Sequence, residues 1–76
     1  MAPEKPLDFT TYARSRMHAR GLTETHVSFC RSHNNDKYEV RGVTAWVCKL
    51  PDGRNMKVKT KDTSAKIIVI DVFTFS

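Results

Sequence analysis

Val43-Thr44-Ala45-Trp46-Val47-Cys48-Lys49-Leu50-Pro51-Asp52-Gly53-Arg54-Asn55-Met56-Lys57-Val58-Lys59-Thr60-Lys61 is the stretch that decides the fold. Residue character alternates on both sides of Pro51-Asp52-Gly53, and a period of two belongs to a strand with one buried face. Trp46, Cys48 and Leu50 share a face of the first strand, and Met56, Val58 and Thr60 stand opposite Lys57, Lys59 and Lys61 in the second. Between them proline sets φ, aspartate bonds to nearby backbone and glycine accepts positive φ, so the chain turns back on itself. Beyond a polar loop at 61–65, Lys66 to Phe75 is β-branched and apolar on both faces, the composition of a central or covered strand. On the amino side Lys37 to Arg41 reads as a short strand closed by Gly42.

Upstream of Lys37 the period lengthens. Phe9, Tyr12, Ala13 and Met17 fall on one face of a helix over Asp8–Arg20. Asp8, Thr10 or Thr11 can cap it, and Gly21 stops it in the position that needs positive φ. A second helix starts at Thr23, with Leu22 and Val27 at the spacing of a hydrophobic staple and Glu24 in the first turn. It frays near Ser32–Asn35. The order α-α-β-β-β-β with short links predicts an α+β fold: two N-terminal helices packed on one face of a four-stranded antiparallel sheet. Residues 1–7, with Pro3 and Pro6, are expected to be a flexible lead-in, and 8–76 a single domain. Met17, Val27, Cys30, Trp46, Val58, Ile68 and Ile70 are the expected core.

The chain has 76 residues, 39% hydrophobic and 28% charged, which is globular composition at the size of one small domain. Lys and Arg total 13 against 8 Asp and Glu, a formal charge of +5 that favours an anionic partner. The longest aliphatic run, Ile67-Ile68-Val69-Ile70, is too short to span a bilayer, so no membrane partner is expected. The amino end has no apolar h-region, and Cys30 and Cys48 are too few for a disulfide scaffold. The expectation is a cytoplasmic protein with both thiols reduced.

Tyr12-Ala13-Arg14-Ser15-Arg16-Met17-His18-Ala19-Arg20-Gly21-Leu22-Thr23 resembles the opening of a family of small bacterial domains of unknown function, whose pattern is His-Ala-x-x-Arg-Met-x-x-Arg-Gly-Ile-Thr. Val27, the turn Leu50-Pro51-Asp52-Gly53-Arg54 and the strand Lys66–Phe73 continue the resemblance, which covers about residues 9–75. The family is grouped with RelE/ParE-like toxins and related metal-independent ribonucleases. The resemblance therefore implies a RelE/ParE-like fold, RNA on the open sheet face, and an acidic antitoxin-like protein as another partner. It implies candidate catalytic positions at Tyr12, Arg16 and Arg20, and no cofactor. A family hydroxyl on the last strand falls near Asp71, with Thr74 close by. The family histidine falls on Tyr12, and a phenol with its ordinary pKa of about 10 is a poor base at neutral pH. Cleavage without a metal needs a base, a cation at the phosphorane and an acid; here the arginines are the cations and the base is missing.

Each candidate has a plainer reading. Arg16 and Arg20, one turn apart, either grip a phosphate or serve structure, Arg16 pairing with Asp71 or Glu39 and Arg20 capping the helix. Lys57, Lys59 and Lys61 either track phosphates or form a solvated face that discourages edge pairing. His26, Cys30 and His33 share a helical face and are metal-ligand types, but Cys30 also suits a core, and no metal is expected. Cys48, alternating with Trp46 and Leu50, reads as a buried thiol. Three functions follow: a toxin-like ribonuclease, a non-catalytic binder of RNA or acidic protein, and an accessory module. The sequence leaves the oligomeric state open.

Overall fold

The computed structural model describes residues 5–75. Its elements are β1 (Leu7–Phe9), α1 (Thr11–Ala19), α2 (Glu24–Ser32), β2 (Asp36–Val40), β3 (Val43–Lys49), β4 (Asn55–Asp62) and β5 (Ile67–Phe75). The two helices pack against one mixed five-stranded sheet of order β1-β5-β4-β3-β2. Strands β2 to β5 form the expected antiparallel meander.

The expectation of four antiparallel strands is corrected by β1, which pairs in parallel with β5 through Leu7–Ile67, Asp8–Ile68 and Phe9–Val69. Three residues are too few for a periodic signal, and their partner lies at the other end of the chain. The stretch expected as a lead-in thus contributes Leu7 to the sheet. The Pro6 carbonyl accepts from Ile67 N–H at 2.9 Å, and Lys5 Nζ donates to the Thr63 carbonyl at 2.8 Å. Residues 1–4 lie outside the described residues.

Helix α1 begins where Thr10 Oγ1 accepts the Ala13 N–H at 3.0 Å and ends at Gly21, φ +65°. There Leu22 N–H reaches the Met17 carbonyl at 2.8 Å and Gly21 N–H the His18 carbonyl at 3.2 Å, the paired bonds of a Schellman ending. Leu22 and Val27, the staple pair, are both in the core. At the head of α2, His26 Nδ1 accepts the Thr23 N–H at 2.9 Å, the part usually played by Glu or Gln. The turn between β2 and β3 holds Arg41 and Gly42 at φ +53° and +80°, a two-residue hairpin of primed type.

The core lies between the helices and the sheet, where Met17, Val27, Cys30, Cys48, Met56 and Val58 meet Val69 and Val72. Ile68 and Ile70 were expected there and are only partly buried; Ile67, Val69 and Val72 take the helix side instead. The reason is a bulge. Lys59 pairs with Asp71 and Thr60 with Val69, so Ile70 has no partner and the alternation changes phase across it. Trp46 is also only partly buried, packed against the core with its Nε1–H bonded to Thr60 Oγ1 at 2.9 Å.

Cys30 and Cys48 are joined by a disulfide, with Cα atoms 5.3 Å apart, which corrects the expectation of reduced thiols. Both are wholly buried, and the bond staples α2 to β3. Two cysteines are too few for a disulfide scaffold, but one pair suffices where helix and strand faces converge.

Candidate nucleic-acid interface

Alternation along β4 turns Lys57, Lys59 and Lys61 away from the helices, while Met56, Val58 and Thr60 are buried beneath them. The register with β5 sets Phe73 beside Lys57, Asp71 beside Lys59 and Ile68 beside Lys61. Phe73 is thereby brought among the lysines. Lys57 Nζ lies 5.8 Å and Lys59 Nζ 5.9 Å from its ring centre, inside the range of cation–π attraction. Lys57 also lies 5.5 Å from the Tyr38 ring and 5.9 Å from the Phe75 ring.

Helix α1 supplies the third cation. Strand β1 covers the outer edge of β5 only as far as Val69. Thr10 then bonds to the Val69 and Ile70 carbonyls, at 3.1 and 3.2 Å, and α1 continues along the edge that β1 leaves free. Ala13 and Met17 face inward. One turn apart on the neighbouring stripe, Tyr12 and Arg16 reach the rim of the open face. The Arg16 guanidinium lies 5.4 Å from the Tyr12 ring and 5.8 Å from the Phe73 ring. Its Nε stands 3.4 Å from Asp71 Oδ1, as an ion pair without a hydrogen bond. Of the two partners expected for Arg16, Asp71 is the one found. Tyr12 is 56% exposed and offers its ring to solvent.

Arg16, Lys57 and Lys59 thus converge on Phe73, with Tyr12, Tyr38 and Phe75 around them. Arg20 does not join them. It is the C-cap residue of α1, and its carbonyl accepts from Arg54 Nη1 at 2.9 Å. Arg54 also binds the Asp52 carboxylate through Nε at 2.8 Å, which holds the Asp52 carboxyl below its ordinary range and raises the arginine. Lys61 is exposed on the same face further along β4. Among the described residues Lys57, Lys59 and Lys61 form no ion pair, so their charges remain available to an anion.

The histidines are engaged elsewhere. His26 caps α2, His33 stacks on Phe29 with ring centres 4.7 Å apart, and His18 lines a shallow depression with Arg14, Leu22 and Glu24. With Cys30 in the disulfide, the trio on α2 is committed to capping, cross-linking and stacking. No group of three metal-ligand side chains forms among the described residues. None of those helices is long and apolar enough to cross a membrane.

The structure brings Lys57, Lys59, Arg16 and Tyr12 to one face and adds aromatic rings that no single strand's pattern shows among the lysines. Phe73 and Tyr38 sit on other strands and enter only through the register. Compared with family models, with curated proteins and with solved structures, the chain matches none.

Proposed function

We propose that this chain is a small basic domain, RelE/ParE-like in kind, that binds RNA through its open sheet face. One observation carries the reading: Arg16, Lys57 and Lys59 surround the Phe73 ring on a face the helices leave bare. Cations neutralise phosphates, and the half-buried Phe73 ring, with the exposed rings of Tyr12, Tyr38 and Phe75 near it, offers a surface on which a base stacks whatever its identity. Asp71 is the carboxylate of this face: it pairs with Arg16 and stands opposite Lys59, which leaves Lys57 and Lys61 without an acidic neighbour in the register with β5.

The reading is binding rather than turnover. Tyr12 stands where the resembling family has its histidine, and its ring lies against Arg16. That places a cation and a phenol at the rim, with a base for the 2′-hydroxyl still lacking. An acidic antitoxin-like protein would compete for the same cations. The compartment proposed is the cytoplasm, where disulfides are uncommon; burial of both sulfurs shields this one from soluble thiols, whose attack requires access.

A salt titration of binding to a short single-stranded RNA tests the proposal, comparing wild type with Lys57→Ala/Lys59→Ala/Lys61→Ala. Wild-type affinity falls with salt by a log–log slope of about −0.7 per phosphate contacted, and the triple variant binds more weakly with a slope flatter by about 2. Its thermal stability falls modestly, because the half-buried Lys57 and Lys59 give up contacts with the Phe73 ring worth about 0.5–1 kcal/mol each, and circular dichroism checks that it is folded at the temperature of the titration. Equal affinities and slopes would leave the lysines as a solubility device and the accessory role as the better reading.

A further inference from the structure

Strand β2 ends the sheet, and all five of its residues, Asp36-Lys37-Tyr38-Glu39-Val40, are exposed. An edge of this kind is usually blunted by charge. Here the charges alternate in sign along the strand, and the alternation is complementary to itself. We propose that β2 is a dimerisation edge whose occupant is β2 of a second copy of this chain, in antiparallel register about Tyr38.

The backbone sets the phase of that pairing. Val40 and Val43 close a two-residue hairpin and form its first hydrogen-bonded pair. Alternate residues Tyr38 and Asp36 therefore turn their N–H and C=O groups toward β3, and Lys37 and Glu39 turn theirs outward. The Lys37 N–H is in fact held by the Asp36 carboxylate at 2.9 Å, as befits a donor with no neighbouring strand. A second strand must place its own outward residues opposite Lys37 and Glu39. Centred on Tyr38, the pairing sets Lys37 against Glu39 of the partner and Glu39 against Lys37, each a hydrogen-bonded pair of opposite charge. One allowed step either way sets Glu39 on Glu39 or Lys37 on Lys37. Charge thus selects a single register.

The side chains agree. Tyr38 faces Tyr38 of the partner at the central, non-hydrogen-bonded position, where side chains approach most closely. Tyr38 is 41% exposed and Val40 57%, and they rim an open-face groove of about 430 Å³ floored by Val43, Ala45 and Ile70. The second copy covers that rim. The two-fold axis stands perpendicular to the sheet, so both open faces lie on the same side and become continuous.

Sedimentation equilibrium at about 0.15 M ionic strength tests this, at concentrations up to about 1 mM, beyond which association is too weak to count as an interface. Wild type sediments with twice the chain mass. Glu39→Lys and Lys37→Glu each sediment as monomers where wild type is paired, and a mixture of the two forms a one-to-one dimer by native mass spectrometry. Because Lys37 also lies 4.5 Å from the Trp46 ring, the chain carrying both changes is the control: it is self-complementary again and recovers the dimer. A monomeric wild type, or single variants that pair as well as wild type, would overturn the proposal. So would a double variant that, folded by circular dichroism, fails to recover.

Discussion

Phe73 joins the charges of the open face. Three cationic groups lie within 6 Å of its ring centre, one from α1 and two from β4. All four side chains are half-buried, and each such contact is worth at least about 0.5–1 kcal/mol, so the ring holds long, mobile side chains in a shared arrangement before any ligand arrives. Replacing Phe73 with leucine keeps an apolar side chain and removes the π face. On the proposed function, affinity for single-stranded RNA should fall about tenfold, the loss of one stacked base, with the salt slope unchanged because the lysines remain. Fluorescence anisotropy at two salt concentrations reads both quantities; an unchanged affinity would remove Phe73 from the site. The lysines were legible in the sequence because they alternate along one strand. Their ring was not, because Phe73 belongs to another strand, and its neighbours depend on a register that neither strand's own pattern contains.

At the level of elements, β5 shows where alternation misleads. Its run Ile67-Ile68-Val69-Ile70 offers an aliphatic side chain to both faces, so composition identifies a strand without saying which residues point inward. Ile70 is the bulged residue, and it restores the buried phase at Val72 after Asp71. Deleting Ile70 would join Val69 directly to Asp71, already opposite Thr60 and Lys59, and leave an unbroken alternation. We expect that chain to fold with the same core, at a cost of about 2–3 kcal/mol for the lost partly buried isoleucine and for the Thr10 hydroxyl's bond to the Ile70 carbonyl. Urea unfolding measures it, and failure to fold would show that the bend itself is required. The helices were easier to read: Thr10 and Gly21 bound α1 as their chemistry predicts, and the Leu22–Val27 staple fixes the entry to α2. Strand β1 was hidden because three residues after a proline carry no period.

On the scale of the whole molecule, a chain this short buries a modest core, and the Cys30–Cys48 bond supplements it. A cross-link spanning 18 positions restrains the unfolded chain by about 3 kcal/mol. The pairing was not legible because the two cysteines belong to different periodic patterns, one helical and one extended, that meet only in three dimensions. The cross-link also turns the chain into a ring with two tails. The ring runs from the end of α2 through all of β2 and into β3. Tension applied at the termini passes through the sulfurs and bypasses the ring. Stretched in an optical trap, the oxidised chain should reach a contour length shorter than the reduced one by about 58 Å, the span of the enclosed residues less the 5.3 Å between the bridged Cα atoms. Equal lengths would show that the ring is open. While it is closed, a pull can unravel β4, β5 and α1 but cannot draw out β2, so the strand proposed to meet a second copy is the one that force does not reach.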